Sequence, residues 1–127
     1  MEEAQKRSKE ALVKEYLQAM EDRNLEKCVS FFQPDATIHF MEGVYQGIES
    51  VSQWHTDRFE ANMRIDEIEA IQVQGDTVTV DVVIRSDPLR AWRIEQLSGY
   101  AQASIRNGKI QELRFGLNAT NPLEDWS

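Results

Sequence analysis

Leu12, Val13, Tyr16, Leu17 and Met20 recur three and four positions apart among charged neighbours. That is the stripe of an amphipathic helix, and it predicts one from Glu3 to about Arg23. Asn24 suits the N-cap of a second, shorter helix in which Leu25, Cys28, Val29 and Phe32 repeat the stripe until Pro34 forbids continuation. From Ala36 to Met41 the period changes to two and the residues become β-branched or aromatic, which predicts a half-buried strand. Gly43 to Gly47 reads as a turn or short strand. Ile48, Val51, Trp54, His55 and Phe59 mark the buried face of a third helix, with Glu49 in its first turn. Four β-favouring runs follow, at Ile65 to Gln74, Thr77 to Arg85, Trp92 to Arg106 and Lys109 to Leu117. Gly75-Asp76, Asp87-Pro88 and the hairpin signal Asn107-Gly108 separate them. The order of helix, helix, strand, helix and meander predicts an α+β fold with helices packed on one face of a curved, mixed or antiparallel sheet.

Composition narrows the partners. The chain has 127 residues, 14 Lys+Arg against 22 Asp+Glu, and a formal net charge of −8. This length suits one domain over residues 1–127, with a core at about 8–118 and a tail at 119–127. The acidic balance disfavours nucleic acid and anionic membrane surfaces as partners. Cys28 stands alone, the first residues are charged, and no apolar run is long enough for a membrane helix. These features predict a cytoplasmic protein, and the triplet Asn118-Ala119-Thr120 carries no weight as a glycosylation site in that setting. Two isolated His and one Cys offer no metal-ligand spacing, and the glycines form neither a dinucleotide fingerprint nor a phosphate loop. No metal or cofactor is expected. Cys28, on an apolar stripe without a basic partner, reads as a buried thiol.

The stretch Leu12-Val13-Lys14-Glu15-Tyr16-Leu17, then Asn24-Leu25-Glu26, Phe31 to Thr37 and Gly47-Ile48-Glu49-Ser50-Val51, resembles the nuclear transport factor two-like superfamily, and within it the SnoaL-like branch. Asn107-Gly108-Lys109-Ile110 and the strand after it are similar too, so the resemblance spans roughly residues 8 to 118. It implies a cone, three helices wrapped by a bent sheet around an apolar pocket, and commonly a homodimer. It also implies a choice among isomerases, cyclases, dehydratases, epoxide hydrolases and non-enzymatic binders. Against ketosteroid isomerases, Tyr16 matches the oxyanion-binding Tyr, but the general base falls at Phe40 and the protonated acid at about Ala101. Against limonene epoxide hydrolases, the positions of the inward Arg and two Asp are about Val82, Ile84 and Phe115. Arg85-Ser86-Asp87 imitates the Arg-x-Asp spacing three residues out of register. The last-strand Asp of SnoaL-type cyclases is replaced by Phe115 or Asn118.

With Phe40 inward, period two turns Ile38 inward and His39 outward. By the same rule Val78, Val80, Val82, Ile84, Ala101, Ala103, Ile105, Leu113, Phe115 and Leu117 make an apolar inner wall. Thr79, Asp81, Val83, Arg85, Tyr100, Gln102 and Ser104 form the outer face on which the resemblance implies dimerisation. The pocket is expected to be lined by Ile38, Phe40, Trp54, Phe59, Val82, Ile84, Trp92, Ala101, Ala103, Leu113, Phe115 and Leu117. Trp54 and Trp92 also fit plain core or interface positions. Two polar groups could converge on the pocket, Tyr16 and His55. His55 is a candidate general base and Tyr16 a candidate donor to an oxyanion. Both also fit satisfied core residues. The sequence thus points to a small apolar ligand and a proton-transfer reaction of isomerase or cyclase type, or else to a non-catalytic dimeric structural or interaction module.

Overall fold

Helix α1 (Glu2–Glu21) opens the chain in a computed structural model that describes residues 2–41, 43–94 and 96–117. It is followed by α2 (Leu25–Ser30), β1 (Phe32–Phe40), β2 (Gly43–Gln46) and α3 (Ile48–Glu60). The second half holds β3 (Arg64–Gln74), β4 (Thr77–Arg85), α4 (Asp87–Ala91), β5 (Leu97–Arg106) and β6 (Lys109–Leu117). The strands form one mixed sheet in the order β2-β1-β6-β5-β4-β3. β1 and β6 pair in parallel and every other neighbouring pair is antiparallel. Register shifts in the β1–β6, β3–β4 and β5–β6 pairs add the twist that curves the sheet around α1, α2 and α3.

The helices start and stop where local chemistry directs. Asn24 Oδ1 accepts from the Lys27 amide to cap α2. Its end comes at Ser30, earlier than the apolar stripe predicts, and β1 begins at Phe32 instead of Ala36. Pro34 disfavours helix in the residue before it, and the Phe31 carbonyl accepts from the Ile110 amide at 2.7 Å, which draws this segment onto β6. A second correction falls at Trp92 to Gln96, expected as strand. Ser86 Oγ accepts from the Leu89 amide and Pro88 pre-sets the first turn, so the five-residue α4 forms just before that segment, with Trp92 at its C-terminal end. Arg93, with φ 62°, reverses the chain after it. β5 therefore starts at Leu97.

Cross-sheet register turns the inward residues into rows. One row runs Val78, Ala103, Leu113, Ile38, and the next runs Val80, Ala101, Phe115, Phe40. β5 alternates strictly, its inward residues Leu97, Gly99, Ala101, Ala103 and Ile105 all buried. Small residues in the middle of each row leave depth on the concave side, and the helices supply the bulk, led by Trp54, Tyr16 and Val13. Each such side chain removed from water contributes about 1.5–3 kcal/mol. α1 is fastened to the sheet at both ends. Near its start, Lys9 Nζ donates to the Gly75 carbonyl and to Asp76 Oδ1. At its end, Glu21 Oε1 accepts the Ile65 amide at 2.6 Å.

Gly99 sits where β5 runs close against the backbone of β6. A Cβ there would stand 2.8 Å from the Gly116 carbonyl oxygen, a backbone atom fixed by the strand pairing. Gly99→Ala is therefore expected to lower unfolding free energy by about 1–3 kcal/mol, the range for overpacking. Urea denaturation measures it, and an unchanged midpoint would contradict the close approach.

Candidate functional site

Tyr16 on α1 and His55 on α3 meet inside the cone. Both are fully buried, and Tyr16 Oη lies 2.7 Å from His55 Nε2. His55 Nδ1 lies 2.7 Å from the Val51 carbonyl oxygen, one turn back on its own helix. A carbonyl only accepts, so Nδ1 carries the proton and donates; Nε2 then holds a lone pair and accepts from the Tyr16 hydroxyl. The electrostatics agree with this assignment. Burial pushes the His55 imidazole down to about 4, against a weaker opposing effect of the Val51 carbonyl. Burial also raises the Tyr16 phenol well above its ordinary value, with a further push from Cys28. At neutral pH the pair is a neutral imidazole bonded to a neutral phenol.

Aromatic rings enclose the pair. Phe31 and Phe32 meet the Tyr16 ring edge-on, Phe32 meets His55 likewise, and Trp54 and Phe59 flank the imidazole. Cys28 is buried nearby, its thiol pushed up to about 12 by burial first and by Asp22 second, so it stays protonated and unreactive.

Beside the pair lies a second cluster. The Trp54 ring stacks on Phe115 at 5.1 Å with 19° between planes, and Phe40 meets both edge-on. The Arg58 guanidinium lies 4.5 Å above the Phe40 ring and 5.7 Å from that of Trp54. Trp54 Nε1 and Arg58 Nε are both buried and lack a hydrogen-bond partner. An orphaned buried donor costs about 1–3 kcal/mol, so each of these N–H groups is one that an acceptor oxygen would satisfy. Arg58 follows Val51, Trp54 and His55 on the buried stripe of α3, seven, four and three residues on. A charged residue at that spacing was the available signal, and periodicity read for apolar residues alone passes over it.

Of the expected pocket residues, Ile38, Trp54, Val82, Ala101, Ala103 and Leu113 are buried, while Phe40, Phe59, Ile84 and Phe115 are partly buried against the same core. Trp92 is not among them. It is 80% exposed, because α4 carries it to the surface before β5 begins. The Leu117 side chain, Asn118 and the tail at 119–127 lie outside what is described. His39 faces outward, 3.7 Å from Glu112 Oε1. Among the described residues no group of three or more His, Cys, Asp or Glu is placed to hold a metal ion, and no helix is long and apolar enough to cross a membrane.

A sequence profile of the SnoaL-like domain matches residues 13–113. The chain belongs to the SnoaL-like domain family. Among solved structures, the epoxide hydrolase/cyclase-like enzyme SalBIII of salinomycin pyran-ring formation superposes with a TM-score of 0.78 at 20% identity, over 95% of this chain and 97% of that one. A candidate polyketide cyclase from Xanthomonas campestris pv. campestris gives 0.76 at 15% identity over 95% of each chain. A nuclear transport factor two-like protein of unknown function from Cytophaga hutchinsonii gives 0.71 at 14% identity, over 87% and 90%. At these identities the likeness is one of fold. No curated protein sequence matches the chain.

The buried imidazole makes stability pH-dependent. His55 is held near 4 when folded and returns to about 6.5 when unfolded, so between those values the unfolded chain binds more protons and stability falls as pH falls. The loss amounts to about 3 kcal/mol once pH is below 4. Urea midpoints of wild type and His55→Gln between neutral pH and about pH 4 isolate it, because the carboxylates are common to both. Wild type is expected to lose the greater stability on acidification; parallel curves would contradict a sealed, neutral His55.

Proposed function

We propose that the chain binds a small, largely apolar ring-bearing molecule in its cone and moves a proton on it, as an isomerase or cyclase of the SnoaL-like kind. The observation that carries this reading is the pair of orphaned donors, Trp54 Nε1 and Arg58 Nε, among the rings of Phe40, Trp54 and Phe115. The rings offer stacking area and the two N–H groups an oxygen site, which fits a ketone or similar acceptor. On such a ligand the imidazole edge of His55, 4.9 Å from the Trp54 ring centroid to centroid, stands beside the reacting carbons. Tyr16 turns its hydroxyl from Nε2 to the ligand, and the freed lone pair takes a proton from the carbon next to the carbonyl. The C–H electron pair forms a carbon–carbon double bond, the carbonyl π pair moves onto oxygen, and the resulting enolate oxygen is held by Arg58 and Trp54. The imidazolium returns its proton to a carbon of the enolate. An imidazole held near 4 is a weak base in the empty site, and the negative charge forming beside it raises its basicity as the proton moves.

A second reading has its own support. Both ring nitrogens of His55 are satisfied without any ligand, as in a purely structural pair, which suits a non-catalytic dimeric interaction module using the outer face of Thr79, Asp81, Tyr100 and Gln102.

The bicyclic ketone 2-tetralone separates the readings, with tetralin as its oxygen-free counterpart. Tetralone is expected to shift the Trp54 indole N–H resonance, assigned by its loss in Trp54→Phe, and tetralin to shift it less. Exchange of the ketone's α-protons for solvent deuterium should run about a hundredfold slower with His55→Gln than with wild type, the low end of general-base effects. Equal exchange by the two proteins would remove the proton-transfer reading, and an unmoved indole resonance would remove the oxygen site.

A further inference from the structure

At the end of the cone where α1, α3 and β4 end and β3 begins, Arg23, Arg64, Arg85 and Arg90 line a solvent-open cleft of about 210 Å³ together with Asn62, Ser86 and Asp87. Four cations in one cleft are unexpected on a chain of net charge −8. Like charges brought together repel, and they are held here by contacts that span distant segments. Arg23 Nη2 donates to Asn62 Oδ1 at 2.6 Å, and Asn62 Nδ2 donates to Asp87 Oδ2 at 2.8 Å. The Asp87 amide donates to the Ala61 carbonyl. Arg23 and Asn62 both adopt left-handed backbone, with φ of 56° and 53°, which ends α1 and α3 and turns both residues toward the cleft they line. Arg64 is shared with Glu21, and Arg85 Nε with Asp66 Oδ1 at 2.7 Å. Neither the Arg90 side chain nor Arg23 has a carboxylate partner among the described residues.

We propose that this cleft binds the phosphate group of a small phosphate ester, or free phosphate, independently of the cone. The charge and geometry favour phosphate over carboxylate. A carboxylate has two oxygens and is satisfied by one guanidinium fork, whereas a phosphate dianion offers three terminal oxygens to several forks at once. Arg23, with Nη2 on Asn62, and Arg90 supply forks that no carboxylate occupies among the described residues. The remaining outer nitrogens of Arg85 and Arg64 add positive charge, and Asp87 is the one lining carboxylate that opposes an anion. The volume exceeds what a bare phosphate needs and leaves room for a small organic group.

Isothermal titration with phenyl phosphate, inorganic phosphate and benzoate at fixed ionic strength tests the assignment on the full chain. Saturable binding of phenyl phosphate is expected, weakened about tenfold or more by Arg90→Gln and by Arg23→Gln, since each removes a charge-assisted fork. Asp87→Asn keeps the acceptor for Asn62 but removes the opposing charge, and is expected to tighten binding, an outcome that general destabilisation does not produce. Equal affinity for the two phosphates identifies the free ion as sufficient; tighter binding of phenyl phosphate identifies an ester. Absence of saturable binding, benzoate binding as tightly as either phosphate, or wild-type affinity in both arginine variants would overturn the proposal. Unchanged thermal midpoints in the exposed variants Arg90→Gln and Arg23→Gln keep their loss of affinity attributable to the cleft.

Discussion

Everything inside the cone is arranged around a polar chain that water cannot reach: the Val51 carbonyl, the His55 ring and the Tyr16 hydroxyl. A buried imidazole with one nitrogen unsatisfied would cost about as much as a large fraction of a small domain's net stability. The α3 backbone satisfies Nδ1 at no conformational expense, because the acceptor is one turn away. Nε2 has to be satisfied from another element, and the Tyr16 hydroxyl on α1 does so. The relative position of α1 and α3 is thereby specified by a directional bond, on top of the non-directional burial of Val13, Leu17, Val51 and Trp54.

The same helix carries the contrast on which function turns. Two polar residues on its inward stripe are treated differently, His55 fully bonded and Arg58 left with an orphaned Nε while its guanidinium lies above the Phe40 ring. Trp54, between them in space, packs one face on Phe115 and keeps an unpaired N–H. Among the described residues these two are the buried side-chain donors left without a partner, and the proposed ligand site rests on them. The family relationship agrees with such a site and does not define it, because cyclase-like enzymes and proteins of unknown function share this fold at 14–20% identity.

Much of the architecture was legible because it is local. The three helices followed from apolar spacing and the hairpins from their glycine turns, and strand alternation separated inward Ile38 from outward His39. What escaped was non-local or too short to show a period. α4 is five residues long, so its only signals were the Ser86 cap and Pro88, and the β-favouring residues after them read as strand; Trp92 went to the pocket on paper and to the surface in the fold. The parallel pairing of β1 with β6 joins segments far apart in sequence and moved the start of β1 back to Phe32. At the site, Tyr16 and His55 could be nominated separately, but their hydrogen bond depends on helix packing. The four arginines of the outer cleft come from separate segments, and no sequence window holds them together.

The central claim is that His55 is a neutral, Nδ1-protonated imidazole sealed against Tyr16. Nitrogen-15 NMR of the histidine ring, observed from about pH 8 to about pH 5, tests it most directly. One protonated nitrogen and one bare, hydrogen-bonded nitrogen are expected to keep their shifts throughout that range. A His55 ring that titrates near 6.5, or that carries its proton on Nε2, would contradict it.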